Sequence, residues 1–171
     1  TRALTHLDIT HTQREVLHGR FLHHYSAHMQ NIQANHRKTF AGTHELMALF
    51  AHYGIPQAIA TNKPQQFVPS ILKTEGLAHF VSAIVGGNSL PQCKPSPMPL
   101  LSLCARFYCP PAKAVMIGDS TADAKSALNA GIPCWLLEQG YAQGADLHQL
   151  GAQAVFKNTQ QLLQAARAIF E

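Results

Sequence analysis

The chain has 171 residues, 46% of them hydrophobic, enough to bury the core of one domain and too apolar for a disordered or low-complexity segment. No apolar run approaches the ~20 residues a membrane span needs, and the opening TRALTHLDITHTQ has no apolar signal region, so a soluble, cytoplasmic protein is expected. The formal charge of +4 comes from 13 dispersed Lys and Arg, with no basic run beyond Arg37-Lys38, which argues against nucleic acid as a partner.

In chain order, residues 11 to about 35 are predicted helical, with Val16, Leu17, Phe21, Tyr25, Met29 and Ile32 recurring at helical intervals. His24 and His28 can share a face of that helix, but no adjacent carboxylate completes a metal site, and a polar helix surface is the preferred reading. From residue 43 helix and strand patterns alternate. THELMALFAHY (43–53) predicts an amphipathic helix with Thr43 as N-cap and Gly54 as stop. QAIAT (57–61) predicts a first strand, and Pro64 opens a helix that runs to about 75 and stops at Gly76. Strands follow at 83–85, 114–117, 134–137 and 154–156, with helices at 97–107, 121–130 and 159–170 between or after them. Short apolar strands separated by amphipathic helices predict an α/β fold, a parallel sheet covered on both faces with right-handed crossovers. A composition break near 38–42 divides an all-helical piece, 1–38, from an α/β piece, 39–171. The four cysteines form no CxxC pair and are expected to be reduced and mostly buried.

Ligands of open parallel sheets bind beyond the carboxyl ends of the strands. The first strand ends in Thr61-Asn62-Lys63, the second leads to a loop with Lys94-Pro95, and the third ends in Gly118-Asp119-Ser120 with Asp123 four residues beyond Asp119. This set suits a phosphoryl group and a magnesium ion, because magnesium takes hard oxygen ligands, usually one or two carboxylates with water and phosphate. Two close carboxylates repel each other, which makes a cation there more attractive. Thr61 precedes a helix start whose free N–H groups can hold phosphate oxygens. Lys94 supplies positive charge for an anionic transition state. Taken singly, GDSxxD also reads as a helix cap, Thr61 is more often an ordinary strand end and Lys94 more often a solvated loop residue. Their order, each after a strand, is the specific signal.

That order, Thr61, Lys94, Asp119, Asp123, resembles the haloacid dehalogenase superfamily of phosphatases. The segments ATNKP (60–64), VGGNSLPQCKPSPMPLL (85–101), MIGDSTADAKSALNAGIP (116–133) and QGYAQG (139–144) are similar to its phosphoglycolate phosphatase branch. The resemblance covers about residues 40–171. It implies a Rossmann-like three-layer core over 39–171, with 1–38 as the closing helices of a helical cap. It further implies that Thr61 and Lys94 serve catalysis and, with Asn62, bind phosphate, and that Asp119 and Asp123 serve Mg2+, Asp123 directly or through water. Ser96 and Gln139 stand where the family often has Asp and Tyr.

One part of the family pattern is missing. The nucleophile and acid/base of the family are two Asp in a DxDGT motif, and none of the nine acids here forms such a pair. LDIT (7–10) is rejected as a look-alike because Thr10 takes the second Asp position and no apolar strand precedes it. The expectation is a C-terminal part of a phosphatase, inactive alone, whose absent strand would lie between the strands ending at Thr61 and Asp119. Their inner edges must then be satisfied by a bound N-terminal fragment, by pairing with each other, or by another chain, as in a homodimer. The substrate expected of the complete enzyme is a small phosphorylated metabolite such as 2-phosphoglycolate. The alternative is a non-catalytic phosphate- or metal-binding regulatory protein.

Overall fold

The structure, a computed structural model, describes residues 39–140 and 146–171. The expected helix over 11–35, the cap remnant over 1–38, the histidine pair and the LDIT segment lie outside the described residues. The described residues belong to one unit that starts at Thr39. In chain order they form α1 (Thr43–His52), β1 (Gln57–Ala60), α2 (Val68–Thr74), β2 (Val81–Val85), α3 (Met98–Arg106), β3 (Met116–Gly118), α4 (Thr121–Ala130), β4 (Cys134–Leu137), β5 (Ala154–Phe156) and α5 (Thr159–Phe170), with short 3-10 turns between some of them. None of the described helices is long and apolar enough to cross a membrane.

The N-cap of α1 is Gly42, in the left-handed region at φ 88°, and no side chain caps this helix. Thr43 is its first helical residue, which corrects the expected Thr43 cap. The region after Pro64 starts as a 3-10 turn, Gln65–Phe67, and becomes α-helical only at Val68.

All strand pairs are parallel, but they form two sheets. One is β1-β2 and the other is β3-β4-β5. Among the described residues no hydrogen-bonded ladder joins β1 to β3, so direct pairing of these two strands is not how their edges are met. Parallel strands buried on both sides read as unbroken apolar runs, and CWLL of β4 shows why. Alternate side chains of a strand point to opposite faces. Cys134 and Leu136 enter a core built by Leu100 and Cys104 of α3 and by Ala124, Ala127 and Ala130 of α4. Leu137 and Trp135 pack on the other face, against Leu46 and Phe50 of α1 and Leu162, Leu163 and Ala166 of α5. Met116 and Ile117 of β3, and Val155 and Phe156 of β5, divide in the same way. The three-stranded sheet is thus sandwiched between two helix pairs. Leu136 and Leu162 are fully buried, and each contributes about 1.5–3 kcal/mol by leaving water.

The β1-β2 pair has a smaller core. Val68 and Leu72 of α2, with Leu77, pack on Ile59, Val81 and Ile84. Every β1 residue is only half-buried.

Candidate active site

The candidate residues read from the sequence lie at the carboxyl ends of β1 and β3 and in the loop after β2. At the tip of β3 the chain passes through Gly118, Asp119 and Ser120 into α4. Ser120 and Asp123 form a capping box, which terminates the open backbone of a helix start. Asp123 Oδ2 accepts from Asp119 N at 3.1 Å, Ser120 N at 3.1 Å and Ser120 Oγ at 2.7 Å. Asp123 N donates back to Ser120 Oγ at 3.3 Å. A Cβ on Gly118 would fall 2.4 Å from Asp123 Cβ and 2.8 Å from Oδ2, so the carboxylate can fold back under the strand tip only because residue 118 has no side chain. Asp123 is 4% exposed.

Its other oxygen, Oδ1, lies 2.5 Å from Lys94 Nζ, and the same ammonium donates to Ala60 O at 2.6 Å. Lys94 is therefore a buried cation bridging the end of β1 to the start of α4, not a solvated loop lysine. Two of its three N–H groups are used, which leaves one for an anion. The loop that carries it is tied down along one stripe of α4. Ser126 Oγ donates to Ser96 O at 2.7 Å and Asn129 Nδ2 donates to Pro95 O at 3.2 Å. Asp123, Ser126 and Asn129 recur every three residues, the spacing that lines one side of a helix. From the β1 side, Asn62 Nδ2 donates to Lys94 O at 2.9 Å.

Thr61 continues β1 through its N–H to Val85 O at 3.0 Å. Its Oγ1 accepts from Lys63 N at 3.1 Å, which leaves the hydroxyl hydrogen to donate outward. Thr61 precedes the 3-10 turn Gln65–Phe67, whose N-cap is Pro64, and α2 follows at Val68. The segment after Thr61 is fastened to the GGNS loop. Gln65 N donates to Asn88 Oδ1 at 2.8 Å, and Ser89 Oγ donates to Gln65 Oε1.

Contacts thus run from Ala60, next to Thr61, through Lys94 and Asp123 to Asp119. Two residues have a different local setting from the one their implied roles suggested. The Asn62 amide is turned to the Lys94 carbonyl, and both Asp123 oxygens are engaged by protein donors. The cap that the GDSxxD string allows falls to Ser120, while Ser126 and Asn129 carry no signal in the sequence beyond the three-residue repeat after Asp123. Ser96 stays local: its Oγ accepts from Met98 N at 3.2 Å at the start of α3 and donates to Gln92 Oε1 at 2.7 Å. Gln139 donates to Thr159 Oγ1 at 2.5 Å.

The buried pair also marks its surroundings. The Cys134 thiol is pushed up to about 11, chiefly by burial and further by the negative charge of Asp123, with Lys94 opposing. It stays a neutral thiol at physiological pH. No group of three His, Cys, Asp or Glu among the described residues could enclose a metal ion. Both Asp123 oxygens accept from protein donors, and Asp119 is the other carboxylate of the GDSxxD segment. A site of one carboxylate completed by water and phosphate fits the donor habits of magnesium and does not fit a closed protein cage.

A family model for haloacid dehalogenase-like hydrolases matches residues 2–137. Phosphoglycolate phosphatase of Thiobacillus denitrificans is 36% identical over 132 residues, 77% of this chain and 56% of the relative. That of Haemophilus influenzae is 30% identical over 155 residues, 91% of this chain and 67% of the relative. The crystal structure of a predicted phosphoglycolate phosphatase from Haemophilus somnus superimposes with a TM-score of 0.78 at 27% identity, covering 92% of this chain and 68% of that one. The chain spans about half the length of several curated relatives it matches, 56%, 45% and 52% in three of them.

Proposed function

The chain belongs to the haloacid dehalogenase-like hydrolase family, and from that premise we propose that it is the C-terminal part of a phosphatase for a small phosphomonoester, 2-phosphoglycolate first. The observation that carries this reading is the Lys94 ammonium, 9% exposed, which ties the strand end beside Thr61 to the acidic turn of Asp119 and Asp123. Lys94 keeps one N–H beyond its bonds to Asp123 and Ala60, and that donor suits a phosphoryl oxygen at this edge. Thr61 donates its hydroxyl hydrogen to a phosphoryl oxygen. Lys94 donates its remaining N–H to the phosphoryl group and stabilises the charge that develops during transfer. Asn62 and Asp123 fix the two ends of Lys94 so that this donor does not wander. Asp119 holds magnesium, which when bound offsets phosphate charge; Asp123 supports it from behind. The phosphoryl acceptor would be an Asp carried outside these 171 residues, forming an aspartyl-phosphate that water then hydrolyses. The chain by itself is then inactive.

Intact-mass measurement of the native preparation, followed by an assay of 2-phosphoglycolate hydrolysis with magnesium, tests this. A preparation that contains a DxDGT segment, in a longer chain or a second peptide, should hydrolyse the substrate, and Asp119→Ala or Lys94→Ala should abolish turnover. Normal turnover in both variants overturns the assignment. A single 18.7 kDa species that binds phosphate without hydrolysis favours the non-catalytic alternative, in which the edge serves as a phosphate or metal sensor.

A further inference from the structure

The turn that leaves β4 has a contact that the site described above does not use. β3 and β4 are paired in parallel with Gly118 opposite Leu136, so both chains leave the sheet at the same edge. Glu138 N still pairs with Phe156 O at 2.9 Å. Gln139 and Gly140 then pass beside the tip of β3. A Cβ built on Gly140 would lie 2.1 Å from Asp119 Oδ2, 2.2 Å from its Cβ and 2.4 Å from its Cγ. No real Cβ makes contacts that short. Rotating the carboxylate does not relieve them, because the Cβ of Asp119 is itself among the atoms met. Gly140 is not among the glycines with positive φ, so an alanine meets no left-handed strain, and the three nearest atoms its Cβ would meet all belong to Asp119. The turn also cannot back away easily, since Gln139 is bonded to Thr159, a buried residue at the first position of α5.

We infer that Gly140 is a positioning residue for the Asp119 carboxylate: its bare backbone walls one side of that side chain, while Asp123 holds the Asp119 main chain from below. The inference rests on the proposal that Asp119 serves a magnesium ion, and two readouts separate the two claims. The first is magnesium affinity by titration calorimetry on the full chain, for wild type, Gly140→Ala, Gln139→Ala with Gly140→Ala, and Asp119→Asn. Asp119→Asn should abolish binding, Gly140→Ala should weaken it about tenfold or more, and releasing the Gln139 anchor should recover part of the loss. Phosphate affinity, assigned to Thr61 and Lys94, should stay within about twofold in Gly140→Ala, as a general loss of structure would not allow. The second readout is a crystal structure of Gly140→Ala, in which the Asp119 carboxylate should be displaced with Lys94 and Asp123 in place.

If Asp119→Asn binds magnesium as wild type does, or wild type does not bind it, the metal reading fails and the crystal structure alone decides the role of Gly140. Wild-type affinity in Gly140→Ala together with an undisplaced Asp119 overturns the inference. Should Gly140→Ala not fold, Gln139→Ala alone decides it. That variant should fold and bind magnesium several-fold more weakly, and an affinity equal to wild type counts against the inference.

Discussion

The two sheets contribute opposite halves of one edge and hold their polar groups by different means. On the β3-β4-β5 side the strands are sandwiched between helices, and the acidic turn is fixed by short-range complementarity: a capping box, a glycine under Asp123 and a glycine beside Asp119. On the β1-β2 side the core is smaller and the loops are laced together by side-chain amides, Asn62, Gln65 and Asn88. Both sides use hydrogen bonds, but those of the acidic turn lie within one capped helix start, while those of the other side tie separate loops together. Lys94 is the described ion pair that couples them. The lesson is that a site spanning two sheets can be as rigid as the one buried charge between them, provided both of that charge's partners stay in place.

Breaking the coupling should give the largest effect. Lys94→Ala leaves Asp123 as a buried carboxylate without its cation, and losing one partner of a buried pair costs about 3–5 kcal/mol. Equilibrium urea unfolding measures this, and a loss below ~1 kcal/mol would mean that Asp123 is better solvated than its burial implies. The contrast between the sheets is sharpened by paired truncations. Leu136→Ala, in the middle of the sandwiched sheet, should cost about 2–5 kcal/mol. Ile59→Ala in half-buried β1 should cost less than half as much, on the order of 1 kcal/mol, because little buried volume is lost. Equal costs would show that the β1-β2 pair is as well covered as the other sheet.

Next in size is Ser120→Ala. It removes the two hydroxyl bonds to Asp123, one of which is the helix cap, and should lower stability by about 1–2 kcal/mol. A further effect is in pH. The Cys134 thiol is raised from an ordinary 9.0 to about 11 in the folded protein. Its contribution is therefore complete below about pH 9 and is lost as pH rises toward 11, where the unfolded thiol ionises first. Alkylation followed by mass spectrometry should find exposed Cys93 modified at pH 8 and Cys134 protected until the pH passes about 10 or the protein unfolds.

The element pattern was legible because apolar periodicity reports burial directly. The segments 121–130, 134–137, 154–156 and 159–170 have the bounds read from sequence. Thr43 misled because a threonine before an apolar run signals a cap, while the glycine ahead of it takes the left-handed cap position here. The order Thr61, Lys94, Asp119, Asp123 was visible as a strand-end pattern. What each side chain binds was not, because hydrogen-bond direction depends on tertiary placement. GDSxxD allowed both a metal ligand and a helix cap, and the geometry gives Asp123 the cap and the lysine together. The division into two sheets lies beyond any single-segment pattern. The contact of Gly140 with Asp119 lies beyond it too, since it joins residues from different strands.

The central claim is that the edge holding Thr61, Lys94 and Asp119 receives a phosphoryl group. The most direct measurement is a titration of the full chain with inorganic phosphate, with and without magnesium, followed by amide chemical shifts. The account predicts saturable shifts centred on Thr61, Lys94 and Asp119, lost in Lys94→Ala and strengthened by magnesium. Saturable shifts centred elsewhere, or none at this edge in a protein whose fold is intact, would contradict it.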